Sequence, residues 1–277
     1  MPAPQAQMLS QLTKLNFIAK MIKLPTDWQD MGEQYPDAFD PSELAVPPNS
    51  PTTLFIQATL NKYHVDTAKK IGEDFEKYID GICGGICDGI DKWMKMTAIN
   101  GVLINAVVGT LFPGCVMGPP LMPLILATAP MKTPQEIKYS NAIATAFGTL
   151  WQPWHMGLTG MLMYPPTFAV CPSPVHPPTP NIPLPLITLS SPGEMGLSAM
   201  SLKSTMEANL ADPTAHHASD LFDALAKAFN TVFQLFKVST LVQNVLGTGP
   251  VPTFAPPFVP VGPVVAGIGT GPPGCLS

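Results

Sequence analysis

The chain contains no arginine: all fourteen of its basic side chains are lysines. Absent with it is the planar guanidinium fork that grips phosphate or carboxylate through two parallel hydrogen bonds. Charge of either sign is scarce, at 12% of 277 residues, against about a quarter in an ordinary globular domain. The net charge is -5, and the lysines form no run longer than Lys69-Lys70, so no basic field exists to hold a polyanion and nucleic acid is excluded as a partner. Cysteine is sparse and odd in number. Cys83, Cys87, Cys115, Cys171 and Cys275 are too scattered for a small disulfide framework and read as free thiols. The opening MPAPQAQMLSQLTKLNFIAKMIKL has no continuous apolar core, because Lys14, Lys20 and Lys23 interrupt it. It does not read as a secretory signal peptide, and synthesis in the cytoplasm is expected.

Catalytic signatures are missing as well. No Gly-x-Ser-x-Gly elbow occurs, and the GTGPPG of residues 269–274 has prolines where a phosphate loop needs a helix N-terminus. Cys83 and Cys87 lack two converging partners for a metal, and His216-His217 beside Asp212 and Asp220 reads as a polar lead-in to a helix. Trp151, Trp154 and Tyr164 sit among Pro153 and Met161 and read as packing residues, not a sugar platform. The expectation is a chain that is not an enzyme, with no cofactor, no metal and no small-molecule substrate.

What the chain has in excess is apolar residues (46%) together with 34 prolines and 22 glycines. Low charge with high apolarity is the opposite of a disordered composition. The charges concentrate in residues 1–95, leaving eleven for residues 96–277. Five segments follow. Residues 1–95 form a charged helical module with an amphipathic helix over 7–23 and a long one from Asp66, where Ile71, Phe75, Ile79, Ile82, Ile86, Ile90 and Trp93 recur at three- and four-residue steps. Within it Gly81, Gly85 and Gly89 line one stripe beside Ile82, Ile86 and Ile90. Each glycine costs about 1 kcal/mol of helix stability relative to alanine, so this glycine zipper predicts a close helix contact.

Residues 96–164 are nearly free of charge and read as an apolar helical hairpin. An alternative is a membrane-inserted protein spanning through residues 97–163; Pro113 and Pro153 break both runs, so a membrane partner is not favoured. Residues 165–193 contain a run of ten prolines alternating with apolar residues, read as an extended arm whose Ile182, Leu184 and Leu186 bind a partner. Residues 194–247 hold a helix begun at Ser219-Asp220. Residues 248–277 form a second Pro/Gly-rich arm, anchored on a partner by Phe254, Phe258 and Val259.

The predicted fold is mainly α: a few long helices with extended apolar arms and little regular sheet. In style, residues 96–277 resemble the structural subunits of phage tails, baseplates and contractile injection particles, whose termini reach over their neighbours. That resemblance implies a non-enzymatic structural protein of a virion or assembled particle, oligomeric, with copies of itself and other structural subunits as partners.

Overall fold

The computed structural model describes residues 4–20, 52–215, 217–255 and 259–277, with the backbone alone for 52–70, 254–255 and 259–260. Among the described residues six α-helices carry the first layer: α1 (Ala6–Ile18), α2 (Thr52–Met96), α3 (Leu121–Leu126), α4 (Pro134–Met156), α5 (Ala199–Leu210) and α6 (Ala218–Ser239). Local chemistry starts several of them. Thr133 accepts from the backbone N–H of Glu136, whose carboxylate accepts from the Thr133 N–H, so a capping box with Pro134 in the first turn opens α4. Ser198 caps α5, which stops where Ala211 turns left-handed.

The helices close a ring. Each packs on its neighbour in sequence, and α6 returns to pack on α1. Inside the ring, Ile79, Ile82, Ile86, Ile90 and Trp93 of α2 meet Phe147, Trp151 and Trp154 of α4 and Phe229, Phe233 and Phe236 of α6, all fully buried. Trp93 and Trp151 meet edge to face at 5.1 Å between ring centroids, and Phe147 and Phe229 do so at 4.7 Å.

The second layer overturns the expectation of little regular sheet: helix makes up 53% and strand 20% of the chain, with a seven-stranded antiparallel sheet. Its strands are β1 (Ala98–Asn105), β2 (Val108–Leu111), β3 (Val116–Met117), β4 (Gly160–Met163), β5 (Val175–Pro180), β8 (Leu246–Pro250) and β11 (Gly267–Gly271). They run in the order β4-β2-β1-β11-β8-β5, with β3 also paired to β1. Two short ribbons accompany it: β6 (Leu184–Pro185) pairs with β7 (Leu241–Val242), and β9 (Phe254–Ala255) with β10 (Val259–Pro260).

The reason for the correction is periodicity of two. In β1, Ile99, Val102 and Ile104 are buried while Leu103 and Asn105 face out, with Gly101 at φ 76° where the register slips. Residues 98–117, read as helix from their apolarity, are therefore strands. The glycines of GTG in β8 and GIGTG in β11 also alternate, and every one of them is buried. Proline and glycine content had marked these residues as irregular; their spacing made them strands. Among the described residues no helix is long and apolar enough to cross a membrane. The stretch 97–163 divides instead into β1, β2, β3, α3, α4 and β4.

Both Pro/Gly-rich segments join this fold. Residues 165–193 supply β5 and β6, and Asn181, buried, ties them down: its amide nitrogen donates to the carbonyl of Val242 at 3.0 Å and its oxygen accepts from the N–H of Val245 at 2.9 Å. Residues 248–277 supply most of β8 and all of β11, which lies between β1 and β8.

Candidate functional site

The two faces of the sheet differ in kind. The inner face is built around the ring of Tyr164, which is buried. A methyl group at Gly109 would lie 2.7 Å from its Cε2, one at Gly247 2.5 Å from its Cε1, and one at Gly269 2.6 Å from its hydroxyl oxygen. Three strands thus approach the ring with bare backbone, an approach that only glycine permits. Tyr164 also packs on Phe168 at 4.7 Å, which stacks on the buried His176 at 3.8 Å. The His176 Nε2 lies 3.1 Å from the Thr167 hydroxyl. Burial pushes the Tyr164 hydroxyl well above the usual phenol range, and it has no hydrogen-bond partner among the described residues. This face is packed, and it presents nothing to an outside molecule.

The outer face is open. Its central row crosses five strands by direct pairing: Met161 of β4 opposite Thr110 of β2, Thr110 opposite Leu103 of β1, Leu103 opposite Ile268 of β11, and Ile268 opposite Thr248 of β8. Met161 is 65% exposed, Ile268 56% and Leu103 39%. Met163, Leu246, Val175 and, on β3, Met117 widen the exposed apolar area. None of the seven strands contains a Lys, Asp or Glu.

Ion pairs gather on the other layer. Lys14 of α1 bridges Asp80 of α2 at 2.9 Å, Lys138 of α4 bridges Asp212 beyond α5 at 2.6 Å, and Lys20 reaches Asp223 of α6. Lys138 and the Thr214 hydroxyl and N–H hold the Asp212 carboxyl well below the usual carboxylate range. Lys237, buried near the end of α6, pairs with Glu194 and lies 5.3 Å over the Phe233 ring. The molecule is polarised into a charged helical ring and a charge-free sheet.

The residues singled out from the sequence fall as follows. Gly81, Gly85 and Gly89 lie within the unbroken α2 and face the α3 region of the same chain. A methyl at Gly85 would sit 3.2 Å from the Ile125 carbonyl oxygen, one at Gly89 2.8 Å from Ile125 Cγ1, and one at Gly81 2.5 Å from Pro130 Cγ. Ile82, Ile86 and Ile90 are buried in the ring. Ile182 is exposed, Leu184 is half-buried on β6, and Leu186 is buried, its N–H donating to Thr240 of the same chain. Phe254 and Val259 belong to the β9–β10 ribbon, whereas Phe258 lies outside the described residues, as does His216.

His217 approaches Asp220 at 3.7 Å. Cys83 and Cys87 are buried, and burial pushes the Cys83 thiol up to about 12 and the Cys275 thiol up to about 11. Among the described residues no three metal-ligating side chains converge. The residues that the sequence reading missed are those of the outer face, Leu103, Met161, Met163, Leu246 and Ile268; the signal was alternation of apolar residues with buried glycines. Comparison with protein-family models, with curated proteins and with solved structures finds no match.

Proposed function

We propose that this chain is a non-enzymatic structural subunit of a large protein assembly, seated among its neighbours by the outer face of its sheet. The observation that carries the reading is the separation of charge from sheet: every ion pair among the described residues lies on the helices or the turns between them, while the exposed strand positions are uncharged, bearing apolar side chains, threonine and the asparagines Asn100 and Asn105. Exposed contiguous apolar surface marks contact with another macromolecule, because leaving it in water is unfavourable and invites aggregation. The Pro/Gly-rich segments serve this role from within the fold, by building the sheet. A virion tail, baseplate or contractile injection particle is the setting proposed, in keeping with the style of residues 96–277.

The test uses lysates of cells that carry the gene together with its genomic neighbours. The tagged full chain is expected to sediment in a particle of megadalton size, visible by negative-stain microscopy, and to leave that particle when Leu103 and Ile268 are both replaced by lysine. Sedimentation of the unaltered chain as a free monomer would remove the assembly reading.

A further inference from the structure

We infer that the end of the curled sheet remote from the helices is a lipid-contacting tip, which enters the headgroup boundary of a neutral membrane surface. This goes beyond the assembly reading, which concerns the wall of the sheet, and it needs no membrane-spanning helix.

The course of the chain defines this end. β1 begins two residues after α2 stops and runs eight residues, about 25 Å at 3.3 Å each, to Asn105. Residues 164–175 and 250–266 gather around the turn beyond it. The Tyr164 N–H donates to the Val107 carbonyl at 2.8 Å, and the Ala106 N–H to the Val264 carbonyl at 2.8 Å. Because Gly109 and Gly247 both approach the Tyr164 ring, and the Ile182 N–H ties the chain after β5 to Met163 of β4 at 2.7 Å, the sheet curls around that ring. Its end is therefore narrow and convex.

The tip carries no charge: no Lys, Asp or Glu occurs between Lys138 and Glu194, in residues 105–107, or after Lys237. Its histidine, His176, is buried. What it shows to solvent is valine and proline. Val170 is 63% exposed, Val175, Val261 and Val265 are exposed, and Pro166, Pro172, Pro174, Pro250, Pro252 and Pro263 lie exposed among them. The β9–β10 ribbon leaves the same end between Thr253 and Val261, adding Phe254 and Val259 to the sequence there.

Absence of charge alone suits many partners, and hydrogen bonding narrows them. The six exposed prolines have no N–H. Of the amides beside them, Phe168, Cys171, Val251, Val261, Val264 and Val265 spend theirs on carbonyls of Pro165, Gly262, Pro174, Thr253, Phe168 and Pro250, all at the same end. A specific protein interface draws about one hydrogen bond per 100–200 Å², and this tip is poor in donors for it. A lipid surface asks for none, and unspent N–H groups are what keep a backbone out of it. Lipid also moulds itself to a convex end, which a flat, rigid partner does not. The charged helices, away from the tip, stay in water.

Flotation of the purified full chain with phosphatidylcholine vesicles tests this. The chain is expected to rise with the vesicles equally at about 0.1 and 1 M salt, because no charge holds it there. Val170→Asp combined with Val265→Asp is expected to lower partitioning by at least about tenfold. Ile268→Asp, on the wall of the sheet, and Met195→Asp, exposed beside the helices, are expected to leave it unchanged. The five native cysteines are buried, so Val170→Cys supplies the reactive thiol for an environment-sensitive dye, whose emission is expected to shift to the blue on vesicles. Circular dichroism and thermal melting establish that each variant is folded. A chain that stays in the soluble fraction, floats only at low salt, or pairs through this end with a second copy instead of lipid overturns the proposal. Flotation that survives the paired aspartates, with no dye shift at residue 170, overturns the choice of this end. The assembly reading is judged separately by particle sedimentation, in which the paired-aspartate variant is expected to behave as the unaltered chain does.

Discussion

At the scale of single residues, the positions where the backbone touches an aromatic ring set the tolerance of the fold. Gly247 faces Tyr164 Cε1 at 2.5 Å and Ile104 Cδ1 at 2.6 Å from where a methyl would stand. Gly247→Ala is therefore expected to lower stability by about 1 to 3 kcal/mol through overpacking, read as a shift in urea midpoint with unchanged slope. His155 supplies a pH dependence. It is buried, its Nδ1–H donates to the Trp151 carbonyl at 3.1 Å, and its ring lies 5.4 Å from that of Trp93. Burial lowers its pKa below 6.5, only partly opposed by the Trp151 carbonyl. The unfolded chain therefore binds a proton that the folded chain refuses, and stability falls as pH drops below about 6.5 toward the lower folded value. His155→Gln is expected to flatten that part of the profile; denaturant midpoints between about pH 7 and 5 that fall equally in both proteins would contradict this.

At the scale of elements, α2 shows how glycine in a helix divides by surroundings. Gly84 has open space where a side chain would go, while Gly85 meets Ala129 and Ile125 backbone at 3.2 Å. Gly84→Ala is expected to raise stability by about 0.5 to 1 kcal/mol, from helix propensity alone. Gly85→Leu is expected to cost about 1 to 3 kcal/mol by driving α3 away from α2. Equal effects from the two, measured by thermal or chemical unfolding, would show that the glycine row has no packing role. The stripe was legible in the sequence because helix periodicity is local. Its contact, the turn around α3, was not, since LMPLIL is six residues with Pro123 inside and carries no periodic signal.

At the scale of the whole molecule, the C-terminal strand decides whether a sheet exists. β11 lies between β1 and β8, with Leu103 opposite Ile268 and Ile268 opposite Thr248. Removing residues 266–277 leaves both neighbours with unpaired backbone and uncovers Tyr164, so the truncated chain is expected to lose its cooperative melt and near-ultraviolet dichroism while keeping part of its helical signal. A truncated chain that melts as sharply as the full one would show that the strand is dispensable. The same geometry changes how the Pro/Gly-rich segments act. They do not reach outward as free arms where they are described; they form the middle and one edge of the sheet.

The sequence by itself determined the helices with strong three- and four-residue periodicity, the glycine stripe of α2 and the partition of charge, because each is a property of residues close together along the chain. It did not determine the sheet. Ile99 opposite Gly271 and Thr179 opposite Gly247 are pairings across long stretches of chain, with the turns poorly marked and glycine standing where an apolar side chain would normally announce a buried strand face. Which face of those strands is buried against Tyr164 and which is left exposed was decided only when the tertiary fold brought three glycines to one ring.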